Sequence, residues 1–465
     1  MALDLSNRPL PAGVSSPEMP LGLWGSYRAA RRNVLELIPA AAYREPVIAD
    51  TKRGRWIMLM DPTGIERVLR HREQDYPKSA ILKRLMTPRE GDNLIITEGD
   101  VWKRQRQALS TPFRPRALNV AAPIINDAAR RITHTLGSTS GSVDVFPFMT
   151  EASCDVMVDL ALGGRDAIDR DALARSVDAY VTGLGRISLF DILGVPNWVP
   201  RPAALFDQSR KVMDDLADEI IAKRASRGPS PEPDLLDLLI EAHSEGTLDA
   251  LEVRNNLLGF LFAGHETTAL TLTWALYLLA LHPEIQAAAR EECLAVFGQD
   301  DPDMESLAQL KLVRQIIDET LRLYPPAGFL TRTVRKDDTL SGVEVKRGAT
   351  VILPVYALHR HERWWKDPLY FDPTRFDPQP SDKHPRGAYL PFGDGPRICI
   401  GTSMAITEAV LILATLVRSL HFSLPEGRSP KPVMWFTLRP EGGLHLDVTQ
   451  AASGHSRGST VPKRA

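Results

Sequence analysis

A chain of 465 residues, 43% apolar and 25% charged, has the material for a large folded core, and no shift in composition divides it. Its 56 basic and 58 acidic side chains nearly cancel, so nothing favours nucleic acid as a partner. Three widely spaced cysteines, Cys154, Cys293 and Cys399, can build neither a disulfide framework nor a zinc site, and a reducing cytoplasm is the expected compartment.

Residues 1–20 lack the charged and apolar regions of a signal peptide and are expected to be a flexible segment with no membrane anchor after it. Residues 21–38 set Trp24 and leucines beside Arg28, Arg31 and Arg32. Their modest apolar side predicts a surface helix in preference to one lying in a membrane interface. Alternating Trp56, Met58 and Met60 predict a strand within 43–60, and Asp61-Pro62 opens a helical pattern in which Ile65, Val68 and Leu69 share a face. From 101 to about 323 the pattern is overwhelmingly helical, with loops at 137–141, 196–202 and 227–233. After Pro325 short β-like runs follow at 331–334, 342–345, 350–353 and 443–448, each bounded by Gly, Pro or Asp. Residues 449–465 show no apolar periodicity and are expected to be a disordered tail. The expected fold is therefore one mainly α domain over 21–448 with a small, mostly C-terminal β portion.

The most apolar stretch, 257–281, is long enough to cross a bilayer at about 1.5 Å per residue. Its centre holds Gly264-His265-Glu266-Thr267-Thr268, and a carboxylate at mid-bilayer costs roughly 2.5 to 3.5 kcal/mol. A long helix through the middle of a soluble protein is the better expectation. Within it Thr267 can turn its hydroxyl to the carbonyl one turn earlier and loosen the helix, and Glu266 is a protonatable group able to relay protons.

The most specific motif is Phe392-Gly393-Asp394-Gly395-Pro396-Arg397-Ile398-Cys399-Ile400-Gly401. Five fixed positions (Phe392, Gly395, Arg397, Cys399, Gly401) coincide by chance on the order of 10⁻⁴ times per chain of this length. A thiolate is an electron-rich axial ligand that, on a haem iron, favours O–O cleavage. The glycines let the backbone turn close to a porphyrin, and Arg397 can offer charge-assisted hydrogen bonds to a propionate. A buried structural cysteine in a Gly-rich turn is the alternative for an isolated Cys. Elsewhere, Trp102 and Arg106 stand one helical turn apart, an indole N–H and a guanidinium that together suit a propionate. Arg332 is a third anionic contact. Glu319 and Arg322 share a helical face, and Arg375 in Phe371-Asp372-Pro373-Thr374-Arg375-Phe376 can close a buried network with them.

In their order along the chain these motifs resemble those of the cytochrome P450 family of haem-thiolate monooxygenases, over roughly residues 43–448. The resemblance implies haem b held between the long central helix and the cysteine-loop helix, with Cys399 on the iron. It implies Trp102, Arg106, Arg332 and Arg397 at the propionates, with Phe392 and Gly401 framing the cysteine loop. Thr267 and Glu266 would deliver protons, and Glu319, Arg322 and Arg375 would support the loop. By the same resemblance the pocket is walled by Leu94 and Ile95, by Phe262, Ala263 and Thr267, by Ala327, Phe329 and Leu330, and by Met434 and Phe436. Its apolar character implies that O2 is used to oxidise a hydrophobic small molecule, such as a terpenoid, steroid-like compound, fatty acid or aromatic. The chain ends before any flavin or iron–sulfur segment, so a separate ferredoxin or flavodoxin with its reductase is the expected electron source, drawn by Lys103, Arg104 and Arg397. A monomer is expected. Two rival readings are a peroxide-driven fatty-acid hydroxylase, although similar peroxygenases dispense with the Glu266-Thr267 pair, and a non-catalytic haem sensor, which needs no proton relay.

Overall fold

Asp249 starts the longest helix among the described residues: its carboxylate accepts the Glu252 N–H at 2.7 Å while the Glu252 carboxylate accepts the Asp249 N–H at 3.0 Å. This reciprocal cap satisfies two donors that an open helix end would leave unpaired. The helix ends at His282 because Pro283 begins the next one. In this computed structural model residues 8–50, 54–83, 86, 92–113, 115–163, 204–227, 234–379 and 383–451 are described. The loop expected at 196–202, nearly all of that at 227–233, and tail residues 452–465 lie outside them.

Helices are numbered in chain order: α1 (Leu23–Arg32), α2 (Pro62–Glu66), α3 (Gly99–Ala108), α4 (Pro115–Gly137), α5 (Phe146–Leu162) and α6 (Ala204–Arg227). After them come α7 (Leu235–Ser244), the long α8 (Ala250–Leu281), α9 (Pro283–Phe297), α10 (Met304–Gln309), α11 (Lys311–Leu323), α12 (Val355–Leu358) and α13 (Thr402–Ser419). α8 packs against α5, α11 and α13, and its side chains are buried almost throughout. That is why it is apolar nearly all round instead of amphipathic. Gly264 at its middle has a packing reason, since a Cβ there would lie 1.8 Å from the Met157 Cε of α5. One described helix, α13, is long and apolar enough to cross a membrane, and 72% of it is buried inside the protein.

The strands form small sheets. β1 (Val47–Ala49) and β2 (Trp56–Leu59) run antiparallel with Val47 opposite Leu59. β7 (Thr350–Leu353) adds in parallel to β2, and β4 (Leu330–Thr333) adds antiparallel to β7. β3 (Ser142–Asp144), β11 (His445–Gln450) and β8 (Leu420–Ser423) make a second sheet, while β5 (Asp338–Leu340) with β6 (Val343–Val345) and β9 (Pro432–Met434) with β10 (Leu438–Pro440) are hairpins.

Two expectations about the ends need correcting. Thr449 and Gln450 pair with His421 and Leu420, so the ordered chain runs past residue 448. Residues 8–20 are tied down: the Ala12 N–H donates to the Tyr277 phenol at 2.9 Å, and its carbonyl accepts from Tyr324 at 2.7 Å. Prolines and serines hid this because the anchoring groups belong to the backbone.

Candidate active site

The cysteine loop is closed by its own backbone. The Cys399 N–H donates to the Phe392 carbonyl at 3.0 Å, and the Ile398 N–H donates to Gly395 at 3.1 Å. Gly395 has φ of 72°, and a Cβ on it would meet the Leu69 carbonyl oxygen at 2.0 Å, so no other residue fits. Arg70 clamps the loop from outside through both carboxylate oxygens of Asp394. Cys399 itself is exposed, but to a cavity inside the molecule. Burial pushes its thiol up, opposed by the Gly401 N–H, the Arg106 charge and the Thr402 hydroxyl.

That cavity offers about 440 Å³ to the centres of water-sized molecules. Its wall combines Cys399, Phe392 and Gly401 from the loop with Phe262, Ala263, Glu266 and Thr267 of α8. Leu94, Ile95, Ala327, Phe329, Leu330 and Phe436 complete the apolar part. Met434 does not line it. Its sulfur instead packs on Gly328, 2.6 Å from where a Cβ would stand, and its N–H donates to Asn33. The Thr267 hydroxyl donates to the Ala263 carbonyl at 2.8 Å, one turn back. Glu266, expected to relay protons, is held at one oxygen: its Oε1 accepts from Thr437 at 2.7 Å and from Arg439 Nε at 2.6 Å.

The family model for cytochrome P450 matches residues 51–446. A putative cytochrome P450 132 of Mycobacterium bovis is 31% identical over 411 residues, which cover 84% of this chain and 87% of the relative. The 11-oxo-beta-amyrin 30-oxidase of Glycyrrhiza uralensis is 34% identical over 418 residues, covering 84% of this chain and 78% of its own. The crystal structure of the cytochrome P450DA heme domain superposes with a TM-score of 0.81 over 95% of this chain and 98% of that one, at 24% identity. The chain belongs to the cytochrome P450 family. Its cofactor is haem and its reaction class is monooxygenation.

The residues of this cytochrome P450 fit such a group. Four basic side chains, Lys78, Arg106, Arg332 and Arg397, meet on one cavity. Burial pushes the Arg397 guanidinium down to about 10, with Arg332 and Arg106 pressing it further, and burial holds Lys78 well below the ordinary lysine range. Arg397 Nη1 is buried with no hydrogen-bond partner among the described residues. Crowded, desolvated cations of this kind call for anions, and haem propionates meet that need. Trp102 stands on the same wall with the Arg397 carbon 4.3 Å above its ring. Arg106 Nη1 donates to the Ile398 carbonyl at 2.9 Å, which ties α3 to the cysteine loop, and Arg332 Nη1 donates to the Thr331 carbonyl.

Glu319, Arg322 and Arg375 do come together. Glu319 accepts from Arg322 at 2.6 and 2.7 Å and from Arg375 at 3.3 Å. Arg322 also donates to the carbonyls of His359, Pro368 and Tyr370, so all five of its N–H groups have acceptors. No motif marks His359, which accepts the Leu390 N–H at 2.8 Å through Nε2 and faces the Arg322 carbonyl through Nδ1. It links the network to the chain entering the cysteine loop. Lys78, Thr437 and Arg439 also went unnoticed, because each acts from a segment whose local pattern signals only turn or strand.

Proposed function

We propose that this cytochrome P450 oxidises an apolar small molecule, with a terpenoid as the first class to test, using electrons from a separate ferredoxin or flavodoxin. The observation that carries the reading is one cavity joining the Cys399 sulfur, the Thr267 hydroxyl and a wall of aliphatic and aromatic side chains. The relative named as an 11-oxo-beta-amyrin 30-oxidase supports the substrate class. Bound haem supplies dioxygen activation and the transfer of one oxygen atom. Phe262, Phe329 and Phe436 hold an apolar molecule by contact and keep bulk water away from it. The Thr267 hydroxyl, already donating to Ala263, presents its oxygen to the cavity as an acceptor and passes protons at that atom.

For the electron donor the surface charge differs from expectation. Arg104 is held by both oxygens of Glu252, at 2.7 and 2.9 Å, and by the Thr247 carbonyl, so it is occupied within the fold. Lys103 remains exposed on α3 and is the cation we assign to the docking face. None of the three cysteines is paired in a disulfide, which supports a reducing cytoplasm.

Optical titration of the haem-loaded protein with terpenoids, steroids, fatty acids and aromatics tests the substrate class. Terpenoids should give the largest spectral change at the lowest concentration. A response confined to fatty acids, with turnover on added peroxide and none with any reductase-fed donor, would replace this reading by the peroxide-driven one.

A further inference from the structure

The loop that brings Leu94 and Ile95 to the cavity has no regular element to hold it, since residues 93–98 belong to neither helix nor strand. The Asn93 carbonyl accepts from the N–H groups of Ile96 at 3.1 Å and Thr97 at 2.9 Å, and the Asn93 side chain accepts from the Ile95 N–H at 3.0 Å. Those bonds fix the shape of the turn. They leave open where it stands against α8, and that placement decides how much room the cavity has.

Asn256 of α8 supplies the placement. Its Oδ1 accepts the Leu94 N–H at 2.9 Å, while its Nδ2 donates to the Glu252 carbonyl one turn earlier at 2.8 Å. The buried amide is thus committed at both ends, one to the loop and one to the helix. A second path returns to the same turn of α8. The Thr97 hydroxyl shares its proton between the Asn93 carbonyl and Gln105 Oε1, each at 2.9 Å, and Gln105 Nε2 donates to the Glu252 carboxylate at 3.1 Å. These bonds close a ring from Glu252 through Asn256, the loop and Gln105 back to Glu252. Beyond the ring, Arg397 donates to the Thr97 carbonyl. Gly259 lets the loop come close, since a Cβ there would stand 2.9 Å from Asn93 Nδ2. Asn256, Ala263 and Thr267 share one face of α8, and all three line the cavity. Their spacing sets Asn256 about 16 Å from Thr267 along the helix axis, at about 1.5 Å per residue.

We propose that Asn256 is a positioning residue for substrate specificity. By holding the Leu94 backbone it fixes how far Leu94 and Ile95 reach into the cavity, and so the length of apolar molecule that fits between them and the Cys399 side. Without that acceptor the buried Leu94 N–H must find another, and the loop shifts to do so. The preference for one substrate length then widens. The inference rests on the cavity being the seat of an apolar substrate.

The test is turnover by haem-loaded protein of a series of terpenoids that lengthen by one isoprene unit. Wild type should prefer one length. Asn256→Leu keeps the bulk but neither hydrogen bond, so haem content and the thiolate-type carbon-monoxide band should hold. Its preference in kcat/KM for that length over the next longer one should fall roughly tenfold. The loss should lie in KM more than in kcat, with oxidation at additional positions, because the loop stands away from Thr267. Asn256→Asp still presents an oxygen to the Leu94 N–H and should restore most of the preference. Asn256→Ser can donate to the Glu252 carbonyl but is too short for the loop, so it should match Asn256→Leu, and it replaces that variant should it fold poorly. Leu94→Ala should relax the same preference, and Asn256→Leu added to it should change little more, because both act through one wall. An unchanged preference in haem-loaded Asn256→Leu or Asn256→Ser overturns the inference, and so does an equal fall in kcat for every length, the mark of a merely structural role. A wild type that turns over no member of the series removes the substrate reading and this inference together. Variants that discriminate as well as an active wild type leave that reading standing and remove this inference alone.

Discussion

A single sulfur carries opposed influences at Cys399. Burial favours the thiol, while the Gly401 N–H, the Arg106 charge and the Thr402 hydroxyl favour the thiolate that a metal ligand must be. At Cys293, which is fully buried, burial and the Glu292 charge outweigh the Arg418 charge and push the thiol up to about 12. Reduced, carbon-monoxide-treated protein should therefore show the thiolate-type absorption in Cys154→Ala and Cys293→Ala, and lose it in Cys399→His. Retention of the band in Cys399→His would move the ligand elsewhere. Thr267 yields a second residue-scale expectation. Thr267→Ala should still load haem and consume reduced cofactor, but product should fall and peroxide rise, because the hydroxyl that passes protons at the cavity wall is gone. Substrate affinity should change by only about 1 kcal/mol, the worth of one methyl-sized group. Full coupling in that variant would transfer the proton role to another group.

Between elements, the decisive connection is α11 to the cysteine loop through Glu319, Arg322 and His359. Glu319 and Arg322 are fully buried, so removing one strands the other at a cost of about 3 to 5 kcal/mol. Glu319→Ala should yield little haem-loaded protein, and normal haem content and melting temperature would refute the network's role. His359 adds a pH dependence. Burial and the Arg322 charge push its imidazole down to about 3, below the 6.5 of an unfolded chain, so the folded state holds it neutral. Its contribution is fully present above about 6.5 and is lost progressively as the pH falls toward 3, because the unfolded chain then binds the extra proton. Melting temperature should drop more steeply on acidification in wild type than in His359→Gln, and equal slopes would contradict this. The helices and their motifs were legible because α8 and α11 carry long periodic runs with fixed motif spacing. β3 was not, since three residues leave no measurable alternation, and its partner β11 lies some three hundred positions away. His359 was equally hidden: its two hydrogen bonds go to backbone groups of Arg322 and Leu390, which only the folded chain brings near.

Across the whole molecule, the N-terminal segment acts as a strap over distant parts of the chain. Ala12 bridges Tyr277 of α8 and Tyr324 at the end of α11, and Tyr324 stacks on Trp274 with ring centres 4.1 Å apart. Trp274 in turn donates to the Leu438 carbonyl at 3.0 Å, in the strand whose neighbours Thr437 and Arg439 hold Glu266. Arg8 adds ion pairs to Asp367 and Asp372, partly exposed contacts of the kind worth about 0 to 1 kcal/mol. The strap's strength therefore lies in the backbone of Ala12. Ala12→Pro deletes the N–H that Tyr277 accepts and should cost about 1 to 3 kcal/mol, because the phenol oxygen stays buried without that donor. Met19→Ala, at a position 75% exposed, is the matched control and should stay within about 0.5 kcal/mol of wild type. Denaturant unfolding of the two variants decides the matter: equal stabilities would mean that the segment rests on the surface without tying the helices beneath it.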